Sequence, residues 1–116
     1  MIFWRSAERL DAELDLKAST LLELRSSLSP ILDWVIANES EAEIRVFIQW
    51  DMAIWKLHDS LMRDRARVDD AQLLNDIRIR TKFHRIEYDH LLRELESFKS
   101  KNWWLEANRR TENDRP

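Results

Sequence analysis

The sequence contains no glycine and no cysteine, and only two prolines stand among its 116 residues. A sheet protein of this length normally needs several glycines at turns, bulges and positions with positive φ. The absence of glycine therefore predicts an all-α protein, and it excludes the glycine loops that bind phosphates or dinucleotides. Without cysteine, the chain has no disulfide, no thiolate nucleophile and no cysteine ligand for a metal.

The composition is typical of one globular domain, with 44% hydrophobic and 35% charged residues. The net charge of −3 provides no general attraction for nucleic acid. Charged residues soon interrupt the apolar start of the chain, which argues against a signal peptide. No apolar run approaches the roughly 20 residues of a membrane span. We therefore expect a soluble protein of the reducing cytoplasm that does not contact membranes.

The first segment, residues 2–28, carries an apolar stripe whose members are alternately four and three residues apart. Such a stripe is typical of a coiled-coil helix. Serine favours the cap and proline the first position of a helix, so Ser29 and Pro30 predict that one helix ends and another begins there. The stripe has one polar member and consists of Phe3, Ala7, Leu10, Leu14, Lys17, Leu21, Leu24 and Leu28.

The second segment, residues 30–65, can break where Ser40 and Glu43 form a capping box. Apolar residues alternate over residues 44–55, which leaves a strand open as an alternative. The apolar pattern continues to Met62 without turn residues and therefore favours a helix. On that helix the polar strip is narrow, so we expect two of its sides to be buried.

The third segment runs to about residue 100 and also contains an alternating stretch, IRIRTKFHRI at residues 77–86. A stripe with steps of three and four spans the whole segment, which favours a helix over a strand. Asp69 or Asp70 can cap its start. The stripe consists of Leu74, Ile77, Thr81, His84, Tyr88, Leu91, Leu95 and Phe98.

Three long helices with short connections predict an antiparallel three-helix bundle with coiled-coil-like helices that forms oligomers. We expect residues 1–102 to form the single domain and residues 103–116 to form an aromatic, then polar, C-terminal tail. Trp103 and Trp104 in that tail either close the end of the bundle or anchor a partner.

A second apolar strip on the third helix, made of Ile79, Phe83 and Ile86, lies away from the stripe. It either packs on the first helix or forms an interface with a second copy or another protein. The two-sided second helix favours the interface. The predicted interface residues are Trp50, Ile54, Ile79, Phe83, Ile86, Trp103 and Trp104.

Six basic residues in the second half of the chain suggest nucleic acid as an alternative partner, because such helices in a dimer can contact the phosphates of a duplex. The competing interpretation is a solvated surface with salt bridges within each helix. The six residues are Arg63, Arg65, Arg67, Arg78, Lys82 and Arg85.

Two polar residues fall on apolar faces, Asp51 on the second helix and His84 on the third. Counting back from a turn near residue 67 places them opposite each other, and a carboxylate facing the core needs a partner. We predict a buried Asp51–His84 pair that sets the register of the helices. No metal site is predicted, because Glu87 and His90 form the only Glu-x-x-His pair. No catalytic group or cofactor site is predicted either, because a serine or threonine nucleophile would have no nucleophile elbow and no oxyanion site built from glycine.

These features predict a small helical protein–protein interaction module rather than an enzyme. It would act as an adaptor, an inhibitor or an assembly factor, as a homodimer or with another protein. The alternative is a helical dimer that binds RNA or DNA through its basic face.

Overall fold

The computed structural model describes the backbone of residues 2–113 and the side chains of residues 7–111. This part of the chain is all-helical and contains no strand, so residues 44–55 and 77–86 are both helical. Four helices are present where three were predicted. They are α1 (Ile2–Asn38), α2 (Glu41–Arg65), α3 (Leu74–Lys99) and α4 (Asn102–Asn113).

The predicted helix boundary at Pro30 is wrong, because α1 continues through this residue. Ile31 and Val35 carry the buried stripe on from Leu28 in steps of three and four. Burying two such side chains contributes on the order of 3 kcal/mol or more, which offsets the roughly 3 kcal/mol that an interior proline costs. The other predicted break is confirmed, since Ser40 caps α2 and its hydroxyl accepts a hydrogen bond from the Glu43 amide.

Contacts between side chains show that the first three helices run up, down and up. Arg25 binds Asp51 and Arg65 binds Asp11, so the end of α2 returns to the start of α1. The Trp50 indole donates a hydrogen bond to the Leu91 carbonyl, 41 residues away, so α3 turns back along α2. Arg85 on α3 binds Glu13 on α1, which places these two helices parallel.

The predicted stripes form the core. All members of the α3 stripe are buried except Tyr88, which is half-buried. In α1 the stripe residues from Ala7 to Leu28 are buried except Lys17 and Leu24, which are half-buried, and the side chain of Phe3 lies outside the described residues. From α2 the core receives Phe47, Trp50, Ile54, Leu57 and Leu61.

Residues 102–113 form α4, so the predicted C-terminal tail is a fourth helix over most of its length. Trp104 is buried, and the rings of Trp103 and Phe98 both lie within 6 Å of the Phe47 ring. Lys101 and the Trp103 indole also donate hydrogen bonds to the Glu43 carboxylate. The two tryptophans thus close one end of the bundle, and the packing continues across residue 102.

The connection between α2 and α3, residues 66–73, is held by local contacts. Val68 is buried beneath it, and the Asp70 side chain accepts a hydrogen bond from the Gln72 amide at 2.9 Å. No residue between 2 and 113 adopts a positive φ. A chain without glycine can therefore make all of these connections without backbone strain.

Candidate interaction surface

A short apolar ridge crosses the outside of α3. Ile79, Phe83 and Ile86 expose 47%, 67% and 65% of their surfaces. Their spacing of four and three residues aligns them on the side of α3 opposite the buried stripe. The ridge therefore does not pack on α1, which was the first of the two alternatives that the sequence left open. The structure agrees with the second alternative only in that the ridge faces outward. We call these three residues the outer ridge.

Basic side chains follow one side of the outer ridge. Arg78, Lys82 and Arg85 line a groove between α3 and α1 together with Arg9, Leu10 and Glu13, and its volume is about 400 Å³. Arg9 was not singled out from the sequence. It falls on α1, and only the parallel packing of α1 beside α3 reveals that its charge belongs to this groove.

Among the described residues that line this groove, Glu13 carries the one carboxylate, and it is already paired with Arg85. Arg85 donates two hydrogen bonds of 2.7 Å to the Glu13 carboxylate. Chiefly through these bonds, and despite partial burial, the pKa of Glu13 falls from 4.5 to about 2. Arg9, Arg78 and Lys82 form no ion pair within residues 7–111, so a ligand can reach these cations of the groove without displacing a carboxylate.

Acidic side chains follow the other side of the outer ridge. On a helix with 100° per residue, Asp76, Glu87 and Glu94 all fall within about 80° of the Phe83 direction, on the side away from Lys82. Asp76 and Glu87 are exposed, and His90 Nε2 lies 2.7 Å from Glu94 Oε1. The outer ridge is thus bordered mainly by basic residues on one side and mainly by acidic residues on the other, but Asp89 falls on the basic side and Arg80 on the acidic side.

The remaining predicted nucleic-acid contacts do not join this basic groove. Arg65 is bound to Asp11 and Asp15 of α1, and Arg63 lies 3.5 Å from Asp59. Arg67 is exposed and lines a separate depression that also contains Arg63 and Arg80. The six basic residues therefore form one group of three and one group of two, with Arg65 apart on α1 acids, instead of one continuous face.

Three of the predicted interface residues belong to the core instead. Trp50 and Ile54 are only 2% and 1% exposed, and Trp104 is 6% exposed. Trp103 is half-buried against Phe47. Because α2 is apolar around most of its circumference, its sequence does not distinguish the side that α1 and α3 cover from the side left outside.

That outer side of α2 exposes Met52, Trp55 and Met62. The Arg25 guanidinium of α1 lies 4.9 Å from the centre of the Trp55 ring, and the His58 ring stacks on Trp55 at 5.2 Å. The expectation that two sides of this helix are buried is wrong for the single chain, because the second apolar side is partly exposed. This side is bordered by the half-buried Arg25–Asp51 ion pair.

The predicted Asp51–His84 pair is wrong, because each residue has another partner. Asp51 accepts hydrogen bonds of 3.1 and 3.2 Å from Arg25. His84 Nε2 lies 2.9 Å from Asp64 Oδ2, and both residues are buried. Counting back equally from the middle of the connection, residues 66–73, places Trp55 opposite His84, so the equal count itself does not give the observed partner.

Asp64 is the buried acid that the sequence reasoning missed. It continues the steps of three and four set by Leu57 and Leu61, which was the available signal. Burial by itself would raise the pKa of Asp64, but hydrogen bonds from Arg80 and His84 outweigh it and hold the pKa below its usual range. A buried carboxylate is thereby kept ionised between α2 and α3.

Comparison with other proteins gives no functional assignment: no family model matches the chain, and no curated protein or solved structure matches it significantly. No helix within residues 2–113 is both long enough and apolar enough to cross a membrane. Among the described side chains, no group of three or more His, Asp or Glu residues is arranged to hold a metal ion. Function is therefore inferred from the chain's own surfaces.

Proposed function

We propose that this chain is a helical protein–protein interaction module whose activity is binding, and that it self-associates through the outer ridge of α3. The observation that carries the proposal is the exposure of Phe83, Ile79 and Ile86 in one continuous row, directly opposite the core face of their helix. Scattered single apolar residues are normal on a surface, but a row bordered by charge is typical of an interface. Such a module acts as an adaptor, an inhibitor or an assembly factor.

The size of the outer ridge sets the expected affinity. Three side chains per copy are far fewer than the roughly 20–30 residues per partner of a standard interface. The gain from burying them, about 25 cal/mol for each Å² of apolar surface, must exceed the cost of association. We therefore expect a weak dimer with a dissociation constant of roughly 10–100 µM.

Sedimentation equilibrium over about 10–500 µM tests this proposal, because mass action moves a weak dimer through its transition in that range. The wild type should change from mostly monomer to mostly dimer. Phe83→Glu should remain monomeric, since it places a charge in the centre of the apolar contact.

The matched control is Leu105→Glu on α4, because Leu105 is as exposed as Phe83 at 67% but lies apart from the outer ridge. This control should dimerise like the wild type. A wild-type chain that stays monomeric at every concentration, or a Phe83→Glu variant that dimerises normally, contradicts the proposal.

A second candidate function is binding of RNA or DNA through the groove between α1 and α3. It is favoured by the clustering of Arg9, Arg78 and Lys82 beside Arg85. It is disfavoured by the ion pairs that already occupy Arg63, Arg65 and Arg85. Fluorescence anisotropy with generic duplex RNA and duplex DNA at two salt concentrations tests it, because phosphate binding weakens steeply with salt.

The variant for that experiment is Arg78→Glu with Lys82→Glu, and its control is Arg45→Glu with Lys56→Glu on α2, which changes the net charge equally. Loss of binding in the first variant alone supports the nucleic-acid function. Equal binding by both variants, or binding that does not depend on salt, excludes the groove as the contact.

A further inference from the structure

The groove between α1 and α3 concentrates positive charge in a chain whose net charge is −3. Four cations and one carboxylate line it, which gives the groove a local charge of +3. Because the chain as a whole is acidic, an anion is attracted by these side chains at short range and not by a general basic charge. The four cations are Arg9 of α1 and Arg78, Lys82 and Arg85 of α3.

The carboxylate of the groove is compensated by two cations of its own. Arg85 donates two hydrogen bonds of 2.7 Å to Glu13, and Lys17 Nζ lies 3.2 Å from the same carboxylate. The hydrogen bonds from Arg85 are the main reason why the pKa of Glu13 is about 2, so Glu13 is ionised at pH 7 and keeps these partners. The remaining three cations of the groove are therefore not neutralised by it.

We propose that this groove is a binding site for a compact anion that carries several phosphate groups, and that Arg9, Arg78 and Lys82 contact it. The site lies beside the outer ridge and does not depend on self-association. An arginine guanidinium can donate two parallel hydrogen bonds to one phosphate, and a lysine ammonium binds phosphate as a point charge. A ligand in the groove meets these groups from two helices at once.

The dimensions of the groove suit a compact ligand. Arg78 and Lys82 are four residues apart on α3, which places their Cβ atoms about 6 Å from each other. Arg9 lines the same groove from α1, and the groove volume of about 400 Å³ is within the range of roughly 300–1,000 Å³ for small-molecule sites. Leu10, which is only 6% exposed, adds an apolar part to the wall and lowers the local dielectric constant. Neighbouring phosphates of a short polyphosphate can therefore reach all three cations.

A nucleic-acid duplex suits the groove less well. Duplex binding with a strong salt dependence involves contacts to roughly 6–10 phosphates, and this groove offers three cations. Arg65 is bound to Asp11 and Asp15, so it does not extend the contact. Asp89 follows Lys82 after two turns of α3, about 10 Å along the helix, and would repel a phosphate backbone that continued in that direction. A short row of cations that ends at a carboxylate favours a short anion.

Isothermal titration calorimetry of the full chain with inorganic tripolyphosphate tests the site. We expect saturable one-to-one binding with a dissociation constant on the order of 100 µM at about 50 mM salt. At about 150 mM salt the affinity should fall several-fold, because the cations are exposed and salt screens them. Orthophosphate, whose single phosphate reaches fewer of the cations, should bind at least about tenfold more weakly.

Two variants with matched controls locate the site. Arg78→Gln with Lys82→Gln should weaken tripolyphosphate binding at least about tenfold, whereas Arg45→Gln with Lys56→Gln on α2 removes the same charge and should change it less than about twofold.

Arg9→Gln tests the contribution of α1 and should weaken binding roughly three- to tenfold. Its control is Arg93→Gln, an exposed residue of α3 that does not line the groove. Circular dichroism of each variant checks that the helices are retained.

The outcomes decide between this site and its alternatives. No binding by the wild type, or an equal loss in the two double variants, overturns the inference, and full affinity of Arg9→Gln overturns a site shared by two helices. Generic duplex RNA is compared by fluorescence anisotropy at the same salt. Duplex RNA that binds at least as tightly as tripolyphosphate overturns the compact ligand and favours the second candidate function.

Discussion

His84 and Asp64 are joined across the interface of α2 and α3, with Nε2 of the imidazole 2.9 Å from Oδ2 of the carboxylate. Arg80 completes the group through three hydrogen bonds to the same carboxylate. Asp64 is the partner that allows a polar imidazole to occupy a core position of α3. The three residues thus fix the register of two helices whose other contacts are mostly apolar.

Asp64→Asn should lower the free energy of unfolding by about 1–3 kcal/mol at pH 7. Asparagine keeps the shape but removes the charge that Arg80 and His84 contact, leaving the buried imidazole poorly paired. Urea unfolding measures the change. Asp59→Asn, which affects an exposed pair with Arg63, should cost less than about 0.5 kcal/mol, and equal losses would show that the buried group has no special role.

Glu13→Gln should remove a pH-dependent part of the stability. The pKa of Glu13 is lowered from 4.5 to about 2 in the fold, so the folded chain binds fewer protons than the unfolded chain in that range. The stabilisation is complete above about pH 5 and disappears as the pH falls through about 2. Since Arg85 is half-exposed, solvent screening reduces the effect at pH 7 to about 1–2 kcal/mol.

Urea unfolding of wild type and Glu13→Gln from pH 7 to pH 2 measures this difference, with Glu8→Gln on the same helix as the control. The two stability curves should converge at low pH. A difference that stays constant over the range would mean that the contribution of Glu13 is not electrostatic.

Pro30→Ala should stabilise the chain. Pro30 is exposed within α1, where it provides no amide hydrogen for the helix and costs up to about 3 kcal/mol relative to alanine. We expect a gain of about 1–3 kcal/mol in urea unfolding, with Ser29→Ala nearly neutral. A loss of stability would indicate that the packing of Ile31 and Val35 needs the local distortion that proline introduces.

Trp104→Ala should destabilise the chain by about 3–5 kcal/mol, because it opens a cavity against Phe47 in the closed end of the bundle. Leu105→Ala, one residue further on the exposed side of α4, should change the stability by less than about 0.5 kcal/mol. Thermal unfolding by circular dichroism compares the two. Similar values would mean that α4 does not contribute to the folded domain.

The sequence predicts the inward face of α3 well and the pairing of its residues poorly. The stripe from Leu74 to Phe98 is continuous over the whole helix. A continuous seven-residue repeat identifies both the helix and the side of it that is buried. The partner of His84 depends instead on how far α3 is offset along α2, and this offset is not given by the length of the connection before Leu74. Sequence periodicity does not determine that offset.

The outer ridge shows what the sequence predicts about the candidate surface. The positions of Ile79, Phe83 and Ile86 follow from helical spacing, but their exposure depends on which side of α3 is covered by its neighbours. Trp50 and Ile54 are as apolar as the residues of the outer ridge, but they are buried in the core. Pro30 shows the converse, since a local stop signal was overridden by the buried residues on either side of it.

The α2–α3 connection has a practical consequence. No residue of this connection has a positive φ, so no position requires glycine. The side chains with structural contacts are Val68 and Leu73, which pack against the core, and Asp70, which binds the Gln72 amide. Lengthening a surface connection is thermodynamically inexpensive, about 0.6 kcal/mol for each doubling. The exposed residues Ala71 and Gln72 are therefore a suitable place to insert an epitope or a fluorescent reporter, so that assembly can be followed in living cells without altering any helix.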